Sequence, residues 1–178
     1  MSSRFTRARH TADDDGEQFS RLYEQTSRDL LAFLLRRCQT AEAAADCLAE
    51  SYRIAWEKRG RIPSGDDARP WLFGVARNVM RRETARDQRT AAASRELVVA
   101  AERANATMKP PDSTVVEAMA ELSELDREIV MMLSLDGLAP REVAAVLGLS
   151  ANVVRVRAHR AREKLRGALR TSIGQVQA

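Results

Sequence analysis

Between Ser150 and Arg170 the chain carries Arg155, Arg157, Arg160, Arg162, Lys164, Arg166 and Arg170 against one acid, Glu163. Cations at that density suit electrostatic binding to a polyanion, and a nucleic acid backbone is the polyanion they fit. Base reading is within reach of the same stretch. Arg pairs bidentately with guanine, Asn with adenine, and a Val side chain can meet a thymine methyl. On a helical wheel centred on Val154, the opposite direction falls to Asn152, Val156 and His159, with Arg155 and Arg160 on its flanks. With the neighbouring Val153 and Arg157, these residues form the candidate DNA-reading set.

Such a helix needs a partner to hold it at a groove. Just upstream, Pro140 to Leu147 puts Val143, Ala144 and Leu147 on one helical face, and Gly148 follows where the chain must turn. Ser150 then offers a side-chain oxygen to cap a second helix, whose buried face reads Val154, Ala158, Ala161 and Leu165. Ala144 sits where the two helices would pack closest, and Gly148 sits in the turn, so both demanding places have a small or permissive residue. The arrangement is the helix-turn-helix of DNA readers. A merely solvated charged helix would require neither feature.

Aromatic residues make up 4% of the 178 residues and charged residues 30%, which points to small helical units rather than one large sheet core. The expected fold class is all-α, with two small helical domains joined by a flexible linker and the helix-turn-helix in the C-terminal one. The sequence pI is near 9.6 while the formal net charge is only +4, because the charges are segregated along the chain. There is no apolar run of membrane-spanning length and no secretory hydrophobic segment after Met1, so no membrane insertion and a cytoplasmic location are expected. Cys38 and Cys47 are the only cysteines, with no CxxC, and His10 and His159 complete no zinc-ligand set. The two cysteines read as reduced, helix-packed thiols. No metal or other cofactor is expected.

In chain order, residues 1–16 read as a mobile polar arm. From Glu17 to about Arg37 a helix is expected, with Phe19, Leu22, Tyr23, Thr26, Leu30, Phe33 and Leu34 in one stripe. A second spans about Ala41 to Arg59, with Ala44, Leu48, Tyr52 and Ala55 inward and Asp46, Glu50, Arg53 and Glu57 outward; the short RCQT connection makes the two antiparallel. GRIPSGDDAR is a surface loop, and a third helix over Pro70 to Arg89 carries Trp71, Leu72, Val75 and Val79 inward. Its later half is basic, with Arg77, Arg81, Arg82, Arg86 and Arg89. Pro110 and Pro111 close an aperiodic stretch, so residues 91–113 read as the linker, with room for a short helix around Glu96 to Arg103. The domains are thus 17–90 and 114–173, followed by a tail of 174–178. The start of the second domain is acidic, with Glu117, Glu121, Glu124, Asp126, Glu128 and Asp136 against Arg127.

ELSELDREIVMMLSLDGLAPREVAAVLGLSANVVRVRAHRAREKLR resembles the C-terminal domain of bacterial extracytoplasmic-function (ECF) sigma factors. DCLAESYRIAW and PWLFGVARNVMRRETARDQR resemble the two diagnostic segments of that family's N-terminal domain. The resemblance implies a dissociable subunit that binds core RNA polymerase, directs it to promoter DNA and starts strand opening. By that resemblance, Asp46, Glu50, Arg53, Trp56 and Glu57 meet the polymerase clamp, and Arg77, Asn78, Arg81, Arg82 and Arg86 handle the minus-10 element. The helix-turn-helix reads the minus-35 element. A monomer when free and an anti-sigma factor partner are implied as well. The chain departs from the family pattern at Ala49 in the clamp-binding segment, which bears on core docking, and at Asn152-Val153-Val154 and Val156 in the recognition helix, which imply a promoter sequence of its own.

A free-standing helix-turn-helix regulator is the competing reading. It would usually act as a dimer on paired half-sites, and no heptad or other dimerisation stripe is evident. Trp71, Leu72 and Phe73 beside Arg77, Arg81 and Arg82 favour strand opening if exposed, since aromatic rings stack on splayed bases; core packing is the larger expectation for Trp71 itself. No enzyme is expected: nucleophile-elbow and phosphate-loop patterns are lacking, and the carboxylates spread along solvent faces.

Overall fold

The computed structural model describes residues 3–94 and 113–176, with side chains described over 14–86 and 115–170. Every regular element among them is helical: α1 (Ser3–Leu35), α2 (Ala41–Glu57), α3 (Ala68–Ser94), α4 (Ser113–Ala120), α5 (Glu124–Ser134), α6 (Pro140–Leu147) and α7 (Ala151–Val176), with single 3₁₀ turns at Arg59–Arg61 and Gly65–Asp67. The chain divides into two compact units, one of residues 1–85 with 145–148 and the other of residues 86–144 with 149–178.

In the first unit the apolar stripe of α1 turns inward. Leu30, Phe33 and Leu34 are fully buried, and Phe33 meets Phe73 edge-on at 5.2 Å between ring centroids. Arg37 and Arg69 lie over these two rings at 3.9 and 4.9 Å, and Arg69 also pairs with Asp29 at 3.1 Å. Thr40 caps α2 by accepting from the Ala43 amide at 3.1 Å. Two buried hydroxyls avoid a desolvation cost through hydrogen bonds: Ser51 donates to the Cys47 carbonyl at 2.6 Å, and Thr26 to the Leu22 carbonyl at 2.5 Å with Tyr52 Oη 2.9 Å away.

The second unit is built from shorter pieces. Leu122, Val130 and Ala161 form a buried cluster with Met119 and Leu165 packed on it. Arg127 of α5 donates to the carbonyls of Met119, Ala120 and Leu122 at 2.8, 3.1 and 3.2 Å, satisfying the end of α4. Gly148 takes φ +67°, and the Leu149 amide reaches back to the Ala144 carbonyl at 2.9 Å, the closure of a helix end that glycine permits.

Three expectations differ from this architecture. α1 starts at Ser3 rather than Glu17, so residues expected to form an arm are helical; nothing before Gly16 breaks a helix, and Gly16 alone costs only about 1 kcal/mol. α3 continues to Ser94, past the expected linker start, while the rest of that linker lies outside the described residues. Phe73 is fully buried rather than offered to bases, because it falls on the side of α3 that meets Phe33 of α1; Leu72 is fully buried, as its helical stripe predicts, and Trp71 is half-buried.

Candidate nucleic-acid interface

The local sequence sets α7 in place at its start. Ser150 Oγ accepts from the Val153 amide at 3.2 Å, the expected N-cap. Behind it Val154 is fully buried, and Ala158 and Ala161 are buried at 3% and 1% exposure. That inward ridge leaves Asn152, Val153, Arg155, Val156, His159 and Arg160 all exposed. The cationic members of this set form no ion pair among the described residues, so their charge is open to an incoming polyanion.

Arg157 is placed differently. It is half-buried, about 60° around the helix from Val154 at 3.6 residues per turn, and its Nε lies 2.8 Å from Asp126 Oδ1 on α5. By sequence Arg157 belongs with the DNA-reading set and Asp126 with the acidic start of the second domain; the structure brings the two side chains together. The Ser-x-x-Asp spacing at Ser123 and Asp126 was a legible helix-start signal, and Ser123 does cap α5 through the Asp126 amide at 3.2 Å. No local signal pointed from Asp126 to Arg157.

Beside the exposed face, a groove of about 440 Å³ runs between α7 and the segment before α6. Arg155, His159 and Arg162 line one wall, and Leu133, Leu138 and Pro140 line the other.

The basic end of α3 forms a second exposed set. Asn78, Arg81 and Arg82 in the first unit and Arg86, where the second begins, are exposed, whereas Arg77 is half-buried. On α2 the outward charges are tied to one another: Arg53 is bidentate to Glu50 at 2.6 and 2.7 Å and also bonds Glu57. The Arg53 hydrogen bond, joined by the charges of Arg53 and Arg82, holds the Glu50 carboxyl below the usual range against the opposing effect of desolvation. Asp46 is exposed on the same helix. At its end Trp56 is 47% exposed, edge-on to Phe19 at 5.1 Å and covered by Arg59 at 4.6 Å. Tyr23, expected inward on α1, is instead 48% exposed and extends this aromatic surface through Tyr52, 4.7 Å away.

The cysteines form no part of either surface. Burial pushes the Cys47 thiol up to about 12, with further contributions from Cys38 and from the Glu83 and Asp46 charges. Burial likewise raises Cys38, partly offset by its hydrogen bond to Cys47. Among the described residues no cluster of His, Cys, Asp and Glu could hold a metal ion, and no helix is long and apolar enough to cross a membrane.

Family models match on both sides of the linker: Sigma-70 region 2 over residues 22–90 and Sigma-70 region 4 over residues 113–165. The chain is 32% identical over 162 residues to the RNA polymerase sigma factor CarQ of Myxococcus xanthus, covering 85% of this chain and 90% of CarQ. It is 29% identical to the ECF RNA polymerase sigma factor SigL of Mycobacterium tuberculosis, over 82% of this chain and 85% of SigL. Among solved structures it is similar to the sigma factor RpoE of Bartonella quintana, determined with the anti-sigma factor NepR, at a TM-score of 0.65 and 21% identity over 86% of this chain and 98% of that one. CnrH in complex with the cytosolic domain of CnrY gives a TM-score of 0.61 at 23% identity, over 92% and 95% of the two chains.

Proposed function

The chain belongs to the sigma-70 family, as an extracytoplasmic-function RNA polymerase sigma factor, and from that premise we propose how its surfaces divide the work of promoter recognition. In the second unit, Asn152, Val153, Arg155, Val156, His159 and Arg160 read the minus-35 element. On α3, Arg77, Asn78, Arg81, Arg82 and Arg86 engage the minus-10 element as it opens. The outer side of α2, through Asp46, Glu50, Arg53, Trp56 and Glu57, docks on core RNA polymerase.

The observation that carries this division is the contrast in charge pairing. Arg53 is satisfied by Glu50 and Glu57, so α2 presents a preset, mixed-charge surface of the kind that orients a protein partner. Arg155 and Arg160 form no such pair, and a helix of unneutralised arginines is suited to phosphates and base edges. Burial of Phe73 removes stacking by its ring from strand opening. Asn78 and the exposed arginines of α3 are left to hold the separated strand.

The protein acts in the cytoplasm, where the polymerase is, and is a monomer when free. An anti-sigma factor that covers these surfaces is part of the proposal, supported by the similar RpoE having been determined with the anti-sigma factor NepR. The test is transcription by holoenzyme reconstituted with bacterial core polymerase, on a library randomised at the upstream element. A selected upstream consensus that shifts in Arg160→Ala and stays put in Asp46→Lys supports the division. Sequence-specific DNA binding by a dimer without core polymerase would support the free-standing regulator instead.

A further inference from the structure

Reading bases along one side of α7 requires that the helix keep its rotational setting on the second unit. A turn of about 20° moves a side-chain tip by about 2 Å at a helix radius of about 6 Å, enough to break a bidentate hydrogen bond. Toward the start of α7 the inward side is made of the small Val154, Ala158 and Ala161, and the larger Leu165 packs further along, on the Leu122, Val130 and Ala161 cluster.

At the starting end of α7 an ionic contact to α5 adds to the packing. Arg157 Nε, fully buried, lies 2.8 Å from Asp126 Oδ1 as an ionic contact rather than an aligned hydrogen bond. The other carboxylate oxygen, Oδ2, accepts from Ser123 Oγ at 2.6 Å, and that same Oγ caps α5. Both oxygens of Asp126 therefore have a fixed partner, one in the cap of its own helix and one on α7. Next in the chain, Arg127 binds three carbonyls at the end of α4, so the first turn of α5 holds α4 and α7 together. The Asp126 and Arg157 side chains are only 21% and 36% exposed, which screens the pair less than a surface pair.

We propose that Asp126 is a positioning residue for promoter selection: held by Ser123, it sets the rotation of α7 through Arg157 while touching no DNA. The proposal rests on the reading above, that α7 recognises the upstream element.

The experiment measures, in reconstituted holoenzyme, the preference for the selected upstream element over a scrambled one. Asp126→Asn keeps the shape and the bond to Ser123 but removes the charge; the preference should fall about tenfold, with binding to scrambled DNA unchanged. Arg157→Ala should lose preference similarly without changing the salt dependence of binding. The exchange Asp126→Arg with Arg157→Asp should restore part of the preference, a rescue that plain structural damage does not produce. Wild-type preference in Asp126→Asn, or an equal fall on both DNAs, overturns the proposal. So does a salt slope reduced by about one in Arg157→Ala, which would make Arg157 a phosphate contact. If Asp126→Asn does not fold, Arg157→Lys decides: retention within about threefold supports an ion pair, and loss of all preference counts against it. Arg160→Ala runs alongside. A shifted preference there with silent Asp126→Asn removes only the positioning role, whereas silence in both removes upstream reading by α7.

Discussion

The outer faces of α2 and α7 are both helical, exposed and rich in charge, yet they are built on opposite principles. On α2 one arginine is held by two glutamates, Glu50 one turn before it and Glu57 one turn after, so its side chain is oriented before any partner arrives. On α7 the cations of the reading face have no such neighbours, and only Arg166, beyond that face, bonds Glu163. Exposed pairs like those of α2 contribute little to folding. Their consequence is geometric: a pre-ordered surface has less side-chain freedom to lose on docking. The unpaired face of α7 instead keeps its cations repelling one another until a polyanion neutralises them, which makes binding steeply salt dependent. Charge content alone therefore does not separate these two faces; the pairing does.

The strongest way to break this comparison is Arg155→Ala with Arg160→Ala. If each makes a bidentate base contact worth about 1–3 kcal/mol, the pair should abolish upstream selection while core polymerase binding stays at wild type. Titrations of core enzyme and of promoter DNA check the two halves separately, and a parallel loss of core binding would show that the faces do not divide the work. Somewhat smaller is the expected effect of Asp46→Lys with Glu50→Lys, about tenfold weaker core binding with an unchanged upstream consensus. Glu50→Lys also releases Arg53 from its bidentate partner, so both the charge and the preset geometry of α2 change. Wild-type core affinity, with circular dichroism confirming the fold, removes α2 as the docking surface.

A sharper question lies in α3, whose exposed Asn78 stands among arginines. Unstacking a base costs a few kcal/mol. Asn78→Ala should therefore reduce transcription severalfold on closed duplex and hardly at all on a template already mismatched at the minus-10 region. Equal defects on both templates would assign Asn78 to folding or docking. The smallest effect concerns the thiols below these surfaces. With Cys47 raised to about 12, its thiolate fraction at pH 8 is on the order of one in ten thousand, so alkylation of the folded protein should be slow there and should accelerate as pH rises toward 12. The less buried Cys38 should react first, as mass spectrometry of partly alkylated protein would report. Rapid labelling of Cys47 at pH 8 would contradict the packing described for α2.

Much of this was legible in residue order because it depends on neighbours a few positions apart. Helical periodicity placed the elements, Ser150 and Gly148 marked the turn before α7, and the wheel around Val154 separated its buried side from its exposed one. Both family segments and the all-α architecture followed from the same local patterns. Three other features were decided by tertiary structure. Phe73 is buried because α1 brings Phe33 against it, and Tyr23 is exposed because the α1 stripe is wider than the surface that covers it. Arg157 pairs with Asp126 because α5 places that carboxylate beside it. In each case the deciding partner lies on another helix. A helix's own sequence specifies which residues share a face, but burial and ion pairing depend on what the fold brings to that face, and that distance is absent from the order of residues.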